Sequence, residues 1–428
     1  MADQEGRKDV TSKCCYFSTI PIEVTEEILS YLSSYGELQQ AKRVCKTWYG
    51  LVHRICQQRE RYFYDSVCRG KLCFRDVKQK SRITPSQRFS HSSCVVGKSM
   101  YIFGGCSTSN TAFNDVYELD LKNLKWTKLR LSGIPPPPKE CATMVVHNNR
   151  IIIFGGWCQP SRMGIVSNAK FYNGIHVLNL DALVWSTPLM SKDGQQPCER
   201  AGHAACVVQD QMVMFGGAQR QTRFNDVWMF DLSLMCWTMP DITGKRPAGR
   251  FGHSQMKINS YTVLILGGCG GPNMLFSDVW LLQLKTMTWS EIKVKNTELE
   301  APQLWCHPAL NIVDRIIVFS TPKTNATSPD GEDTHDEPNV GGQKLLGPSQ
   351  ISPTCMQVYT LDCSQLLTNK YCKWEKTAEV CNAPVATSLH SVVVGRGEIL
   401  IFGGIHYASR LHNSQTVVNN LVRVTPCL

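Results

Sequence analysis

Arginine and histidine recur at a fixed spacing in this sequence, and both residue types could do chemistry. Five of the eleven histidines each open a similar apolar run: His91, His203, His253, His307 and His390. In three places an arginine stands three residues before the histidine: Arg88, Arg200 and Arg250. A guanidinium group can bind a carboxylate or phosphate through two parallel hydrogen bonds. The arginines could therefore hold an acidic ligand or bridge neighbouring repeats, whereas the repeated histidines indicate a structural role.

Sequence motifs of the common enzyme classes are missing. No HExxH, GxSxG or P-loop pattern occurs. A glycine-rich run at 267–271 precedes a loop, so it lacks the helix N-terminus that a phosphate site needs. The twenty cysteines include no CxxC pair and no zinc-ligand spacing, which indicates free or buried thiols. The sequence therefore predicts a protein that is not an enzyme, with no catalytic residue, cofactor or metal site.

Composition and charge narrow the class of protein. The chain has 428 residues, of which 43% are apolar and 19% charged, and this excludes a wholly disordered chain. No run approaches the roughly 18 apolar residues of a membrane span, and Met1–Glu5 is polar, unlike a signal peptide. We therefore expect the cytosol or the nucleus, and no membrane partner.

A net charge of +10 raises the alternative of a nucleic-acid partner. Nine basic and three acidic residues between Arg54 and Arg82 contribute six of these charges. We interpret this segment as a solvated helix that connects two modules, and we do not favour nucleic acid.

An internal repeat organises most of the chain. An apolar run ending in Phe-Gly-Gly or a variant of it occurs six times, at 100–105, 151–156, 212–217, 263–268, 316–320 and 399–404. About twelve residues before the Phe stands the repeated histidine, with Thr143 in its place in the second copy. Downstream come an Asn-Asp-Val or similar run and then a tryptophan: Trp126, Trp185, Trp237, Trp289 and Trp374. Four short apolar runs in about 50 residues predict a kelch-type blade, and hence a mainly β, six-bladed propeller.

Each recurring residue type has a structural interpretation. We expect the glycine pair to end the second strand of a blade, the aspartate to cap a turn, and the tryptophan to fill the space between blades. The sixth copy stops before its fourth strand. An orphan run, Lys71–Asp76, carries Phe74 where a tryptophan is expected, and we predict that it completes the last blade. Residues 321–353 are rich in polar residues, glycine and proline, and this composition predicts a disordered insertion.

The first eighty residues have a helical period. We predict a disordered N-terminus at 1–17, a small helical module at 18–66, a basic linker with the closing strand at 67–84, and the propeller at 85–428. In the module, a first helix begins after Pro21 and ends at Gly36. A second covers about 37–45 and a third about 48–55. Three short helices make a small core, so we expect a partner surface to cover the remaining apolar side chains.

The helical module carries a family resemblance. Ile20-Pro21-x-Glu23-Val24, followed by Leu38 and by Val44-Cys45-Lys46-x-Trp48, resembles an F-box, with Ile20 in place of the usual leucine. F-boxes dock onto the adaptor of the SCF ubiquitin ligase. The resemblance implies that eight residues form or support the adaptor-binding surface: Ile20, Pro21, Val24, Ile28, Leu32, Leu38, Val44 and Trp48.

Over roughly 20–425 the chain resembles F-box/kelch proteins, in particular the subgroup with just one F-box and a kelch domain. The likeness rests on the runs 87–92, 112–115, 266–273, 304–308 and 395–398. It implies a non-catalytic substrate receptor of an SCF ligase, which binds the adaptor and, through it, the cullin and RING subunits. The protein substrate is unknown. The alternative is a kelch scaffold without a ubiquitin role.

The resemblance also implies a substrate-binding face. Loops before the first strand and after the second strand of each blade lie on one face of the ring. In substrate-binding kelch domains, the positions matching Arg88, Arg200 and Arg250 surround the pocket. The predicted face comprises these three together with Trp157, Arg162, Arg220, Arg223 and Asn273. We expect an acidic or phosphorylated degron to bind here, with Trp157 as an aromatic anchor.

Overall fold

The computed structural model describes residues 20–78, 82–159, 169–188, 195–302, 304–321, 355–376, 380–407 and 415–427. The chain divides into two units, Met1–Tyr62 and Phe63–Leu428. The predicted disordered N-terminus and nearly all of the predicted insertion lie outside the described residues.

The N-terminal unit is built from helices. They are α1 (Ile22–Ser30), α2 (Glu37–Ala41) and α3 (Lys46–Cys68), and the residues of α3 from Phe63 onward belong to the second unit. Pro21 precedes α1 and its carbonyl accepts a hydrogen bond from the Thr25 N–H at 3.0 Å. The core of the unit consists of Leu29, Leu38, Ala41, Leu51, Val52 and Ile55. None of the described helices has the length and apolarity needed to cross a bilayer.

Three predicted helix boundaries are wrong. Helix α2 ends at Ala41 rather than near residue 45. Helix α1 ends at Ser30 rather than Gly36, because the N–H groups of Tyr31 and Leu32 turn back to carbonyls three residues earlier. Helix α3 continues to Cys68 rather than ending near Ile55. The sequence from 51 to 68 contains neither glycine nor proline, so nothing local stops the helix there.

Short strands separated by tight turns form the second unit. Strand β1 (Leu72–Asp76) comes first. Blade one consists of β2 (Ser92–Val96), β3 (Ser99–Phe103), β4 (Val116–Asp120) and β5 (Lys125–Lys128). Blade two has β6 (Ser132–Gly133), β7 (Thr143–His147), β8 (Arg150–Phe154), β9 (Trp157–Cys158), β10 (Lys170–Phe171), β11 (Ile175–Asn179) and β12 (Val184–Ser186). Blade three has β13 (Ala204–Val208), β14 (Gln211–Phe215), β15 (Ala218–Gln219), β16 (Thr222–Arg223), β17 (Val227–Asp231) and β18 (Cys236–Thr238).

The remaining strands follow the same order. Blade four consists of β19 (Ser254–Asn259), β20 (Thr262–Gly271), β21 (Met274–Gln283) and β22 (Thr288–Lys295). Blade five consists of β23 (Ala309–Ile312), β24 (Arg315–Ser320), β25 (Gln357–Asp362) and β26 (Tyr371–Trp374). Strand β27 (Val380–Cys381) leads to blade six, which has β28 (Ser391–Val394), β29 (Ile399–Phe402), β30 (Ile405–Tyr407), β31 (Gln415–Val417) and β32 (Leu421–Pro426).

Each blade of the described chain has four antiparallel main strands, and in blades two and six a short parallel strand, β6 or β27, pairs with the outermost of them. The four strands of blade six are β28, β29, β32 and β1, because β1 pairs antiparallel with β32 along its whole length. A parallel pairing of β22 with β26 joins blades four and five. The N-terminal strand therefore occupies the outer position of the last blade. The predicted mainly β propeller with a small helical module is confirmed.

A ring of backbone hydrogen bonds closes around the centre. One residue from each blade donates its N–H to the carbonyl of the corresponding residue in the preceding blade, at 2.8–3.2 Å: Ser90, Cys141, Gly202, Gly252, Cys306 and Leu389. All six have positive φ. This alignment puts Ala142, not Thr143, at the histidine position of the second repeat, since Ala142 directly follows Cys141 as His91 follows Ser90.

Aromatic side chains fill the space between blades. The tryptophan of one blade packs against the Phe-Gly-Gly phenylalanine of the preceding blade, as in Trp237 with Phe154, 4.9 Å between ring centroids. Phe74 of β1 packs in the same way against Phe319 of blade five, with 6.1 Å between ring centroids.

The second glycine of the Gly-Gly pair has no room for a side chain. A Cβ on Gly105 would lie 2.7 Å from the Phe89 carbonyl oxygen.

The turn-capping aspartate is not the one that the sequence indicated. Asp120, at the end of β4, accepts hydrogen bonds from the N–H groups of Lys122 and Asn123 at 2.8 and 3.1 Å. Asp231, at the end of β17, does the same in blade three. The aspartates of the Asn-Asp-Val runs instead bind the repeated arginines, which corrects their predicted role.

Candidate functional site

An exposed apolar stripe runs along α1. Val24, Ile28 and Tyr31 follow one another at spacings of four and three residues, which places them on one helix face. Their exposed fractions are 44, 44 and 81%. The opposite face carries the buried Thr25 and Leu29. Helix α1 thus presents one apolar face to its own core and leaves a second one uncovered.

The eight residues predicted to bind the adaptor differ in their exposure. Pro21, Val24, Ile28 and Val44 are exposed, and Ile20, Leu32 and Trp48 are half-buried. Leu38 is fully buried in the core of the unit, so of the two predicted roles it can only support the surface. Three further apolar or aromatic side chains of this unit that were not predicted are exposed: Ile22, Tyr31 and Tyr49. The helical spacing of Tyr31 from Ile28 was the signal that could have found it.

Arg59 of α3 stabilises the segment that follows α1. Its guanidinium donates to the Ser34 hydroxyl at 2.5 Å, to the Leu32 carbonyl at 3.0 Å and to the Ser30 carbonyl. Arg54 of the same helix pairs with Glu26 at 2.9 Å. These contacts hold α1 against α3, so the exposed stripe belongs to a defined surface.

The repeated arginines are buried and already paired. Arg88, Arg200 and Arg250 are each 0% exposed. Each guanidinium binds an aspartate of the same blade, Asp115, Asp226 or Asp278, at 2.8, 2.6 and 2.5 Å. Each also donates to the carbonyl of the first glycine in the Gly-Gly pair at 2.9–3.0 Å.

Of the two interpretations of these arginines, ligand binding is therefore wrong, and a bridge between blades agrees with the structure. Their guanidinium groups are not offered to a ligand, because aspartate and backbone oxygens occupy their donors. The three arginines do bridge neighbouring blades through their backbone. The Gly156 N–H of blade two donates to the Arg200 carbonyl at 2.9 Å, and the N–H groups of Gly404 and Gly217 donate in the same way to Arg88 and Arg250. The guanidinium groups, in contrast, bind within their own blade. They join the segment before the first strand to the end of the second strand and the start of the third.

Blade two lacks this pair. Lys139 stands in the arginine position and Gly174 in the aspartate position. The Lys139 ammonium is buried and lies 4.6 Å from the ring centre of Tyr172. Burial lowers the pKa of Lys139 to about 8. The next residue, Glu140, is also buried, and this raises the pKa of its carboxyl to about 7.

A cavity of about 860 Å³ opens on the face predicted to bind substrate. Blade four supplies one wall, because β20 and β21 extend beyond the ring as a hairpin that turns at Asn273, whose φ is +60°. The principal lining side chains are Arg223, Phe251, Asn273, Leu275, Phe276, Leu304 and Trp305. Leu275 and Trp305 are 63 and 42% exposed. The cavity is thus a largely apolar pocket whose lining also includes the Arg223 guanidinium and the Glu300 carboxylate.

Local contacts hold the pocket side chains in place. Arg223 lies over the ring of Phe251, 4.9 Å from its centre, and donates to the Arg220 carbonyl at 2.7 Å. Trp305 packs edge-on against the same ring. Gly252 lies beneath Trp305, and a Cβ there would come within 2.5 Å of the indole. The close approach explains why residue 252 is a glycine, although four of the six equivalent positions in the ring are not.

The structure brings together only part of the predicted substrate face. Arg223 and Asn273 line the cavity. Arg220 lies at the turn between β15 and β16, and Trp157 stacks on Phe171 within the β9–β10 hairpin, with ring centroids 6.0 Å apart. Neither lines the cavity. Arg162 lies outside the described residues. Trp305 was missed as a site residue, since its sequence neighbourhood indicated only the family resemblance.

The repeated histidines surround the axis of the ring as buried, neutral groups. A cavity of about 180 Å³ there is lined by all five. His91 and His203 share hydrogen bonds with Ser391 and Thr143 at 2.7 and 2.9 Å. Burial lowers the pKa of each of the five, for His253 and His390 to about 3. Among the described residues, no group of three or more histidine, cysteine, aspartate or glutamate side chains is arranged to hold a metal ion.

Two protein families match this chain. The family described as F-box-like matches residues 17–59, and the family described as FBX42, beta-propeller domain, matches residues 88–289. These ranges coincide with the helical unit and with blades one to four. The fold is a β-propeller, and the matches make this chain similar to kelch-type propeller proteins. The chain combines this propeller with an F-box-like module, as F-box/kelch proteins do.

Similar proteins support the propeller. Kelch domain-containing protein 2 of Bos taurus is 28% identical over 265 residues, which cover 58% of this chain and 64% of that protein. Kelch domain-containing protein 3 of Mus musculus is 25% identical over 332 residues, 74% of this chain and 82% of that protein. The chain thus spans 64% of the length of the first of these relatives. A solved structure, that of YjhT, shares the fold at a TM-score of 0.52 and 15% identity, covering 79% of this chain and 95% of that one.

Proposed function

We propose that this chain is a substrate receptor of an SCF-type ubiquitin ligase. The observation that carries the proposal is the exposed apolar stripe of Val24, Ile28 and Tyr31 on a module that matches the F-box-like family. A soluble domain gains by covering such a stripe with a partner. The SCF adaptor is the partner that an F-box implies, and the cullin and RING subunits follow through it. Such a receptor works in the cytosol or the nucleus.

The receptor acts by positioning and takes no part in the chemistry. It holds a protein substrate near a ubiquitin-loaded enzyme carried elsewhere in the complex. Tethering raises the effective concentration of the substrate lysines at that enzyme and restricts their orientation. No side chain of this chain needs to touch the reacting atoms.

The pocket beside Arg223 is the proposed substrate site. Leu275, Leu304 and Trp305 offer an apolar surface for one large side chain, and Arg223 offers a cation at the edge. We therefore propose a segment that places an apolar residue next to an acidic or phosphorylated one. Arg220 and Trp157, on neighbouring loops of the same face, extend the contact for a longer segment.

Adaptor binding is tested with a charge placed in the stripe. Each apolar side chain buried at an interface contributes roughly 1.5–3 kcal/mol, and a buried unpaired charge costs more. Ile28→Glu should therefore abolish co-elution of the purified SCF adaptor on gel filtration. Ile134→Glu makes the same change at a residue that is 78% exposed in the propeller, and should leave co-elution intact. If the wild-type chain fails to bind the adaptor, the kelch-scaffold alternative replaces the ligase receptor.

Substrate binding is tested separately on an array of synthetic peptides. Each peptide carries one large apolar residue next to aspartate, phosphoserine or lysine. We expect the wild-type chain to retain the acidic and phosphorylated peptides, and Arg223→Glu to lose them. Arg130→Glu, at an exposed arginine outside the cavity, should retain them. Equal retention of the lysine peptides would contradict the proposed pocket chemistry while leaving the adaptor result untouched.

A further inference from the structure

Blade two has a glycine where blades one, three and four have the aspartate that pairs with the repeated arginine. Gly174 stands at this position, directly before the third main strand of the blade. The preceding residue, Asn173, donates its side-chain amide to a proline carbonyl at 3.3 Å, and Asn225 makes the same bond at 3.4 Å before Asp226. The backbone of blade two therefore follows that of its neighbours, and only the carboxylate is missing from this position.

The cation of the pair is retained in blade two as Lys139. Its ammonium lies 4.6 Å from the ring centre of Tyr172, two residues before Gly174. The Arg200 guanidinium lies in the same way over Phe224, two residues before its aspartate, at 4.0 Å. Lys139 is 1% exposed, and among the described residues its ammonium has no hydrogen-bond partner. Blade two thus buries a cation without the partner that its counterparts have, which is costly unless an anion approaches it.

A ring with a polar N–H lies on the other side of the same position. In blades three and four, the residue two after the aspartate is a tryptophan whose indole N–H donates to the carboxylate at 2.7 Å: Trp228 and Trp280. The corresponding residue of blade two is His176. A Cβ on Gly174 would lie 3.2 Å from the His176 Cε1, and no other described residue except its chain neighbours comes within 4 Å of it. An ammonium and an imidazole therefore flank the place of the missing carboxylate.

A carboxylate at this place can reach it from the surface. The aspartates of blades one, three and four have side chains that are 15, 28 and 27% exposed, although their arginine partners are fully buried. Gly174 itself is half-buried. The neighbouring Cys158 thiol and Tyr172 hydroxyl share a hydrogen bond at 3.1 Å, and thiols and phenols ordinarily keep their protons at neutral pH. The negative charge must therefore come from another group.

We propose that blade two binds a carboxylate from outside the chain beside Gly174, with the Lys139 ammonium as counter-ion and the His176 imidazole as second donor. Acetate matches the missing group, because it has the same carbon and oxygen atoms as an aspartate side chain. The ligand is a small free acid or an acidic side chain of a bound protein segment. The proposal rests on the comparison of the blades and is independent of the proposed ligase role and of the pocket beside Arg223.

The experiment measures thermal melting of the full chain at pH 7 in sodium acetate and in sodium chloride of equal concentration. Lys139 is still charged at this pH, because its pKa is about 8. We expect Tm to be about 1–3 °C higher in acetate at about 100 mM, since a ligand that binds only the folded chain stabilises it. Lys139→Met keeps the length of the side chain without its charge, and it should melt at one temperature in both salts.

Two amino-acid probes distinguish the sources of the carboxylate. N-acetyl-aspartate amide carries only its side-chain carboxylate, and N-acetyl-asparagine amide is its neutral match. A rise of Tm with the aspartate probe and none with the asparagine probe supports an acidic side chain of a protein segment. A rise with acetate alone supports a small free acid as the ligand.

A variant that supplies its own carboxylate gives the second test. Gly174→Asp should raise Tm in chloride and remove the response to acetate, and the backbone there accepts a side chain because φ of Gly174 is not positive. Asp226→Gly makes the matched change beside Arg200, and should lower Tm in chloride and recover part of the loss in acetate. Equal Tm of the wild type in the two salts, or an undiminished acetate response in Lys139→Met or Gly174→Asp, would overturn the proposal.

Discussion

The repeated arginine of blades one, three and four is replaced by a lysine in blade two. Arg88, Arg200 and Arg250 each find an aspartate in their own blade, whereas Lys139 faces a glycine position. Recurrence at a regular spacing could have meant a ring of ligand-binding cations. The recurrence of the aspartate in the same repeats is what distinguishes the structural role, because a buried guanidinium needs a partner.

Removing one of these arginines should destabilise the propeller. Arg200→Ala leaves Asp226 without its cation and opens a space beside Phe224, so we expect the free energy of unfolding to fall by roughly 3–5 kcal/mol. Arg220→Ala removes the same side chain at an exposed turn and should change the free energy of unfolding by less than about 0.5 kcal/mol. Urea denaturation, monitored by tryptophan fluorescence, measures the free energy of unfolding of both variants. Equal stabilities would show that the buried pair contributes nothing to the fold.

Strand β1 was predicted correctly from the sequence, although more than 340 residues separate it from its antiparallel partner β32. Every complete repeat ends in a tryptophan strand, and the sixth repeat lacks one. Phe74 supplies the aromatic ring, packing on Phe319 as the tryptophans pack on their own neighbours. The helical residues Phe63 and Val67 join the same cluster, which the sequence did not indicate because their helix was predicted to end earlier.

A chain that begins at Pro85 lacks this strand and should not form a stable propeller. Its loss exposes the edge of β32 and removes Leu72 and Phe74 from the core. A chain that begins at Phe63 keeps the strand together with Phe63 and Val67, and it should fold. Thermal melting followed by circular dichroism compares the two. A cooperative melt of the Pro85 chain at the temperature of the Phe63 chain would show that β1 is dispensable.

The propeller buries its five repeated histidines as neutral groups. Their pKa values lie below 6.5 in the folded state, so below that pH the unfolded chain binds protons that the folded chain does not. Stability must therefore fall as the pH falls. Glu140 acts in the opposite direction between pH 4.5 and about 7, because its pKa is raised, but it is one group against five.

We therefore expect mildly acidic pH to destabilise this protein. We expect the free energy of unfolding to decrease from pH 6.5 to pH 5, by up to about 1.4 kcal/mol per pH unit for each histidine. Tm should decrease steeply over the same range. His253→Leu should make the decrease shallower, because one buried imidazole no longer resists protonation. His53→Leu, at an exposed histidine of α3, should leave the slope as it is. A Tm that is constant over this range would contradict the burial of the histidines as neutral groups.

The sequence by itself determined the repeated unit, the F-box-like module and the strand that completes blade six. These depend on local periodicity and on residue types whose roles are set by backbone geometry, such as Gly105. Only the tertiary structure decided which arginines are paired with an aspartate and which face a cavity. Arg200 and Arg223 are alike as residues on loops of one face, and they differ because a carboxylate lies against one and an open apolar cavity against the other. Burial and pairing depend on residues distant in the chain, and the sequence of a loop does not contain them.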